Sequence, residues 1–169
     1  ATPHSRDATN NTDTKEYIGG SLFIVTAGAA ANLSEVPARR VLFDEVDRAE
    51  LNVNGEGDPV ALAEARQTTF ERNRKSYYPS SPTIKDESIV ERLYLRGTQR
   101  HALADCLHCG EAQPLDFDRL MVSDDGQSAL YPCMHCGAVH TESDKPRMFA
   151  RGAWSDGVGG DGETASFTI

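Results

Sequence analysis

Residues 40–83 read RVLFDEVDRAELNVNGEGDPVALAEARQTTFERNRKSYYPSSPT, and the order of apolar, polar and turn residues here decides the fold class. The apolar run VLF followed by two acids predicts a buried strand over Arg40–Glu45. NVNGEGDP is a turn-rich loop. Asp58 before Pro59 predicts a helix start, since a carboxylate caps exposed N–H groups and proline is preset for the first helical position. VALAEARQTTFERNR carries that helix to about Arg74, and Ser76–Tyr78 predicts a further strand closed by PSSPT. Strand, helix and strand in succession imply an α/β fold.

Outward from this stretch, Ser21–Thr26 (SLFIVT) predicts another buried strand, whereas the polar residues 1–18 read as a loop or frayed start. Ser88 and Glu91 have capping-box spacing before a helix that Gly97 stops. Ala129–Pro132 and Ala138–Thr141 predict short strands, Lys145–Arg151 a short helix and TASFTI a last strand. The expectation is a mainly parallel sheet of P-loop NTPase type over 1–103, a ribbon inserted at 104–142, and a return to the sheet over 143–169.

With 169 residues, 38% of them hydrophobic, the chain can bury a core. No apolar run approaches the ~18 residues of a membrane span, and no secretory signal is visible. The net charge of −9 argues against nucleic-acid binding by overall charge, but it is uneven: −6 over 1–64, +4 over 65–100 and −7 over 101–169. An anionic partner is therefore expected at the middle of the chain.

Cys106 and Cys109 (CLHCG) and Cys133 and Cys136 (CMHCG) form two C-x-x-C pairs 23 residues apart, the spacing of a tetrathiolate zinc site. Two intervening residues let both sulfurs of a tight turn face one ion, and Gly110 and Gly137 permit left-handed backbone beneath them. Two disulfides are the alternative, and His108 or His135 could replace a cysteine.

Asp44 and Glu45 end their predicted strand where nucleotide-hydrolysing sheets present a magnesium-binding carboxylate and a general base. Asp44 would hold Mg²⁺ through water, and Glu45 would orient or deprotonate the attacking water. The alternative is a strand ending in a solvated acidic turn, with Asp47 and Arg48 a surface pair. Ser80, Ser81 and Thr83 in SSPT are placed to sense a γ-phosphate, or else form an ordinary Ser/Pro turn. No G-x-x-x-x-G-K-[ST] occurs in the 169 residues, so this chain alone is not expected to turn over ATP.

The blocks YIGGSLFIVTAGAAANL, VLFDEVDRAE, GEGDPVALAEARQTTFERNRK, SSPTIKDES, TQRH, CLHCGEAQPLDF, YPCMHCGAVH and DKPRMFARGAW resemble, in collinear order, the lambda-type (GpA-like) large subunit of tailed-phage terminase. SSPT stands where an S-T-P-T form is common in that family, and GTQR where S-D-Q-R is. The resemblance implies an internal fragment of an ATP-driven DNA-packaging motor, with the phosphate loop upstream and a nuclease downstream. It matches Asp44 and Glu45 to the catalytic acidic pair, Ser80–Thr83 to the coupling motif, and the cysteines to a zinc-binding insertion. It also implies Mg with ATP, double-stranded DNA, other terminase subunits, the small subunit and the portal as partners, homo-oligomeric assembly, and the host cytoplasm. The basic stretch then supplies Arg66, Arg72, Arg74 and Arg100 as candidate contacts to DNA or to a neighbouring subunit's nucleotide, against the alternative of a solvated helix face. A helicase-like translocase and a zinc-ribbon nucleic-acid or protein-binding module stay open as rival readings.

Overall fold

A computed structural model describes residues 11–169, and the chain divides into two compact units, Ala1–Val90 and Glu91–Ile169. In the first unit, β1 (Thr14–Tyr17) and β2 (Gly20–Phe23) form an antiparallel hairpin in the register Thr14 to Phe23. Helix α1 (Ala30–Ser34) and strand β3 (Arg40–Leu42) follow, then helix α2 (Pro59–Ala65) and strand β4 (Lys75–Tyr77). β3 and β4 pair in parallel, Arg40 opposite Lys75 and Leu42 opposite Tyr77. The apolar core of this unit gathers Ala30, Leu33, Phe43, Val46, Val53, Val60, Ala63 and Ile89.

Asp58 starts α2 as expected, its Oδ1 accepting from Val60 N at 2.9 Å and Ala61 N at 3.0 Å, with Pro59 in the first turn. The helix stops at Ala65 rather than near Arg74. The β-branched pair Thr68 and Thr69 lowers helix propensity there. In addition, Gln67 is drawn out of the helical pattern: its buried side chain donates to the carbonyls of Arg39 (3.2 Å) and Lys75 (3.0 Å) and accepts from Ser76 Oγ (2.6 Å). One glutamine thus staples the starts of both parallel strands to the end of α2.

Three further expectations need correction. Ser21–Thr26 is not a buried strand: Leu22, Phe23, Ile24 and Val25 are all exposed, because a short apolar run carries no information about which face will cover it. Of residues 1–18, 1–10 lie outside the described residues, while 14–17 form β1 because Gly20–Phe23 offers them a ladder. In VLFDE the buried side chains are Phe43 (8% exposed) and Val46, while Leu42 is 69% exposed.

Helix α3 (Ile89–Arg96) spans the division between the units and ends before Gly97, as its spacing predicts. In the second unit, β5 (Arg100–Asp105) is central. It pairs antiparallel with β6 (Ala112–Pro114) and β10 (Ala153–Trp154) and parallel with β11 (Phe167–Thr168). A second, antiparallel sheet is built from β7 (Met121–Val122), β8 (Ala129–Pro132) and β9 (Val139–Thr141), and helix α4 (Lys145–Met148) follows it. Gly97 is required where it stands: a Cβ there would lie 2.6 Å from Ser166 Oγ, which accepts from Gln99 N at 2.7 Å and donates to Tyr94 O at 2.8 Å.

The fold is therefore mixed α/β in four small sheets, not one mainly parallel sheet; among the described residues only β3–β4 and β5–β11 run parallel. The reason is connection length. β5 passes to β6, and β8 to β9, through the short cysteine turns, and so short a link can only return a strand antiparallel. No helix among the described residues is long and apolar enough to cross a membrane.

Candidate functional site

The acidic turn is built by continuation of the β3–β4 ladder. Phe43 N donates to Tyr77 O at 3.0 Å and Glu45 N to Pro79 O at 2.9 Å, so the acids leave β3 beside the loop that leaves β4. Asp44 and Glu45 are both exposed, and Asp44 Oδ1 accepts from Glu45 N at 3.1 Å. Glu45 adopts φ 51°, ψ 46°, a left-handed conformation that costs a non-glycine residue about 1–2 kcal/mol. Such strain persists only where surrounding structure imposes it. Here the clamps are the bond to Pro79 on one side and a short 3-10 turn over Val46–Arg48 on the other.

Asp47 is the residue that sequence reasoning undervalued. It is not paired with Arg48, whose Nε instead lies 3.9 Å from Glu45 Oε2 in an exposed contact of little energetic weight. Asp47 Oδ2 accepts from Thr83 N (3.0 Å) and Thr83 Oγ1 (3.1 Å), Oδ1 accepts from Val90 N (2.6 Å), and Asp47 N donates to Ser80 Oγ (3.2 Å). Burial alone would raise its carboxyl pKa. The hydrogen bonds from Val90, Ser88 and Thr83 outweigh that effect and hold it below the ordinary 3.8. The acidic turn, the SSPT loop and the first turn of α3 are thereby joined through one carboxylate. Ser80 and Thr83 lie within this joint; Ser81 is exposed and offers its carbonyl to Ser80 Oγ at 3.4 Å.

The candidate basic contacts separate by environment. Arg66 is half-buried, with Nε donating to Leu33 O at 3.1 Å, which ties α2 to α1. Arg72 and Arg74 are exposed in the first unit, and Arg100 is exposed in the second.

The second cluster lies in the second unit. Each C-x-x-C sits in a hairpin turn of the same construction. Cys106 N bonds to Glu111 O and Gly110 N to Cys106 O (both 2.9 Å); Cys133 N bonds to Ala138 O (2.8 Å) and Gly137 N to Cys133 O (3.0 Å). Gly110 (φ 79°) and Gly137 (φ 72°) take the left-handed backbone expected of them. The four sulfurs all lie within 4.8 Å of one another, and none is in a disulfide, which removes that alternative.

Cys106 Sγ is 3.7 Å from Cys136 Sγ, and Cys109 Sγ is 3.8 Å from Cys133 Sγ. A tetrahedron with metal–sulfur bonds of ~2.3 Å has edges of ~3.8 Å, so the donor set fits one tetrahedral ion. Burial raises the Cys106 pKa, but N–H donors from Cys109, His108 and His140 hold it down to about 5. Cys109 is pushed up to about 12, since the N–H from Glu111 cannot offset desolvation and three neighbouring sulfurs. Four thiolates this close require a cation, and metal binding would release the protons.

His108 and His135 are exposed, and only their backbone N–H groups face sulfur, at 3.4 Å from Cys106 and Cys133 respectively. The sequence reading overlooked two other residues, His140 and Gln113, both buried. Gln113 Oε1 accepts from Met134 N at 2.8 Å, fastening β6 to the second cysteine turn. No local signal distinguishes either residue.

Comparison with curated proteins and with solved structures returns no match. The family described as "Phage terminase large subunit gpA, ATPase domain" matches residues 1–154, which takes in both the acidic turn and the cysteine cluster. Its name couples ATPase activity, as a property of the family, to phage DNA packaging. The chain therefore belongs to the phage terminase large subunit gpA ATPase-domain family.

Proposed function

We propose that this chain supplies the hydrolysis and coupling elements of an ATP-driven motor that translocates viral DNA, with a structural zinc site beside them. The observation that carries this reading is the joint at Asp47. It ties the acidic pair at the end of β3 to the hydroxyl loop at the end of β4, where open α/β sheets bind their ligands. In this reading Asp44 offers a carboxylate oxygen to Mg²⁺, a hard cation that takes oxygen ligands and draws charge from the transferring phosphoryl group. Glu45 accepts the proton of the attacking water or orients it. Ser80, Ser81 and Thr83 pass the phosphate state to α3 through Asp47.

The exposed guanidinium groups of Arg72, Arg74 and Arg100 suit phosphates of double-stranded DNA or of a neighbouring subunit's nucleotide, while Arg66 contributes whatever its contact to Leu33 leaves available. Cys106, Cys109, Cys133 and Cys136 would hold one zinc ion, four thiolates leaving no position for a catalytic water. Family membership favours this motor over a helicase-like translocase and over an isolated zinc-ribbon binding module. It also supports small-subunit, portal and homo-oligomeric partners in the host cytoplasm.

The test is Glu45→Gln in the intact terminase polypeptide. ATP binding should persist while turnover falls at least ~10²-fold, because the water loses its base. Turnover near the wild-type rate would take Glu45 out of this role.

A further inference from the structure

We propose that His140 is a positioning residue for the cysteine cluster, its Nε2–H donating a hydrogen bond to the Cys106 sulfur and fixing that ligand for the metal. The inference rests on the reading of the four cysteines as a zinc site. His140 Nε2 lies 3.2 Å from Cys106 Sγ, both side chains being buried, at 5% and 2% exposure. This is a hydrogen-bond separation, shorter than the 3.7–3.8 Å between sulfurs that would share an ion. His140 also stands outside the four-donor set. The imidazole is therefore a partner of the ligand and not a fifth ligand.

The two cysteine turns are alike in backbone but not in this contact. Cys106 and Cys133 each accept from the backbone N–H two residues on, at 3.4 Å, and among the described residues only Cys106 receives an imidazole. A thiolate this deeply buried has no water to solvate it, so each N–H aimed at it stabilises the charged, metal-binding form. His140 lies in β9, directly after the second cysteine turn, and reaches across to the first. Gln113 in β6, after the first turn, reaches back to Met134 in the second. These two side chains lace the hairpins reciprocally, and His140 does so through a ligand atom.

The test compares His140→Phe, which keeps a ring but removes the donor, with His140→Gln, which keeps an N–H near the Nε2 position. Zinc affinity measured against a chromophoric chelator should fall about 10–100-fold in His140→Phe and recover most of that loss in His140→Gln. With cobalt in place of zinc, the sulfur-to-metal charge-transfer band should move to lower energy in the Phe variant only, because the thiolate has lost a donor. Zinc affinity of His140→Phe within about twofold of wild type would overturn the proposal, as would equal losses in both variants with an unmoved band.

Should His140→Phe fail to fold, the wild-type protein loaded with ¹¹³Cd decides. The His140 Nε2 proton should show scalar coupling to the metal, and a ring protonated at Nδ1 alone overturns the assignment. Wild-type protein that takes up no zinc under reducing conditions would instead remove the zinc reading, and this proposal with it.

Discussion

The acidic turn of the first unit and the cysteine module of the second are both small and thinly covered by apolar side chains, yet they are held by different chemistry. Around Asp44–Asp47, geometry comes from a parallel ladder two strands wide and from one carboxylate that satisfies backbone groups of two distant segments. In the module, geometry comes from four sulfurs whose mutual repulsion only a cation can offset. The first arrangement leaves Asp44 and Glu45 exposed and able to react. The second fully occupies its donors and leaves nothing to react with. A hydrogen-bonded carboxylate can be rearranged within a working cycle at the cost of a few bonds. A tetrathiolate site yields only when its metal is lost.

Metal removal should separate the two regions most sharply. We expect one zinc per chain, and a strong chelator should unfold 104–142 while the β3–β4 pair keeps its amide protection in hydrogen exchange. The loss is on the order of ~10 kcal/mol apparent at neutral pH, because so small a module has little else to fold it. Equal loss of protection in both regions would make the zinc site a support for the whole chain and erase the contrast.

The converse substitution is Asp47→Ala. Hydrogen bonds to a charged group are worth about 1.5–3 kcal/mol each, so the urea midpoint of the first unit should fall by the equivalent of about 2–4 kcal/mol. Zinc affinity should stay unchanged. A midpoint within error of wild type would show that Thr83 and Val90 find other acceptors.

Gly110→Ala sharpens the same division at lower cost. At φ 79° an alanine is strained by about 1 kcal/mol, which predicts zinc affinity reduced roughly fivefold and no change at the acidic turn. An unchanged affinity would mean the turn relaxes without disturbing its sulfurs.

Acid should produce the gentlest effect. The Asp47 carboxyl is held below 3.8 in the folded chain. Its contribution is therefore present above the unfolded value and fades as pH drops through the lowered folded value. Asp161, held down to about 2 by Thr164 Oγ1, Thr164 N and Glu163 N, follows the same sign in the second unit. The amide signals of Thr83 and Val90 should report Asp47, and those of Glu163 and Thr164 should report Asp161. Amide shifts complete before pH 4 would contradict both assignments.

The most legible features were those whose cause lies within a few residues. The two C-x-x-C-G turns, the Asp58–Pro59 start of α2, the stop of α3 at Gly97 and the strand Ala129–Pro132 follow from capping geometry, glycine backbone freedom and ligand spacing, which act locally. The collinear blocks likewise pointed to the family that matches residues 1–154. Partnership was not legible. Nothing in SLFIVT says that it will pair with TKEY and stay exposed, and nothing in QTTF says that Gln67 will leave its helix to staple two strands. Asp47 meets Thr83 and Val90 across 36 and 43 residues, and His140 meets Cys106 across 34. The sequence by itself determined the local elements, the four sulfur donors and the order of the motifs. The tertiary structure alone decided which carboxylate joins the acidic turn to the hydroxyl loop and which imidazole faces a ligand sulfur. A hydrogen bond depends on where two side chains end in space, and at separations of thirty residues or more the path of the chain sets that position.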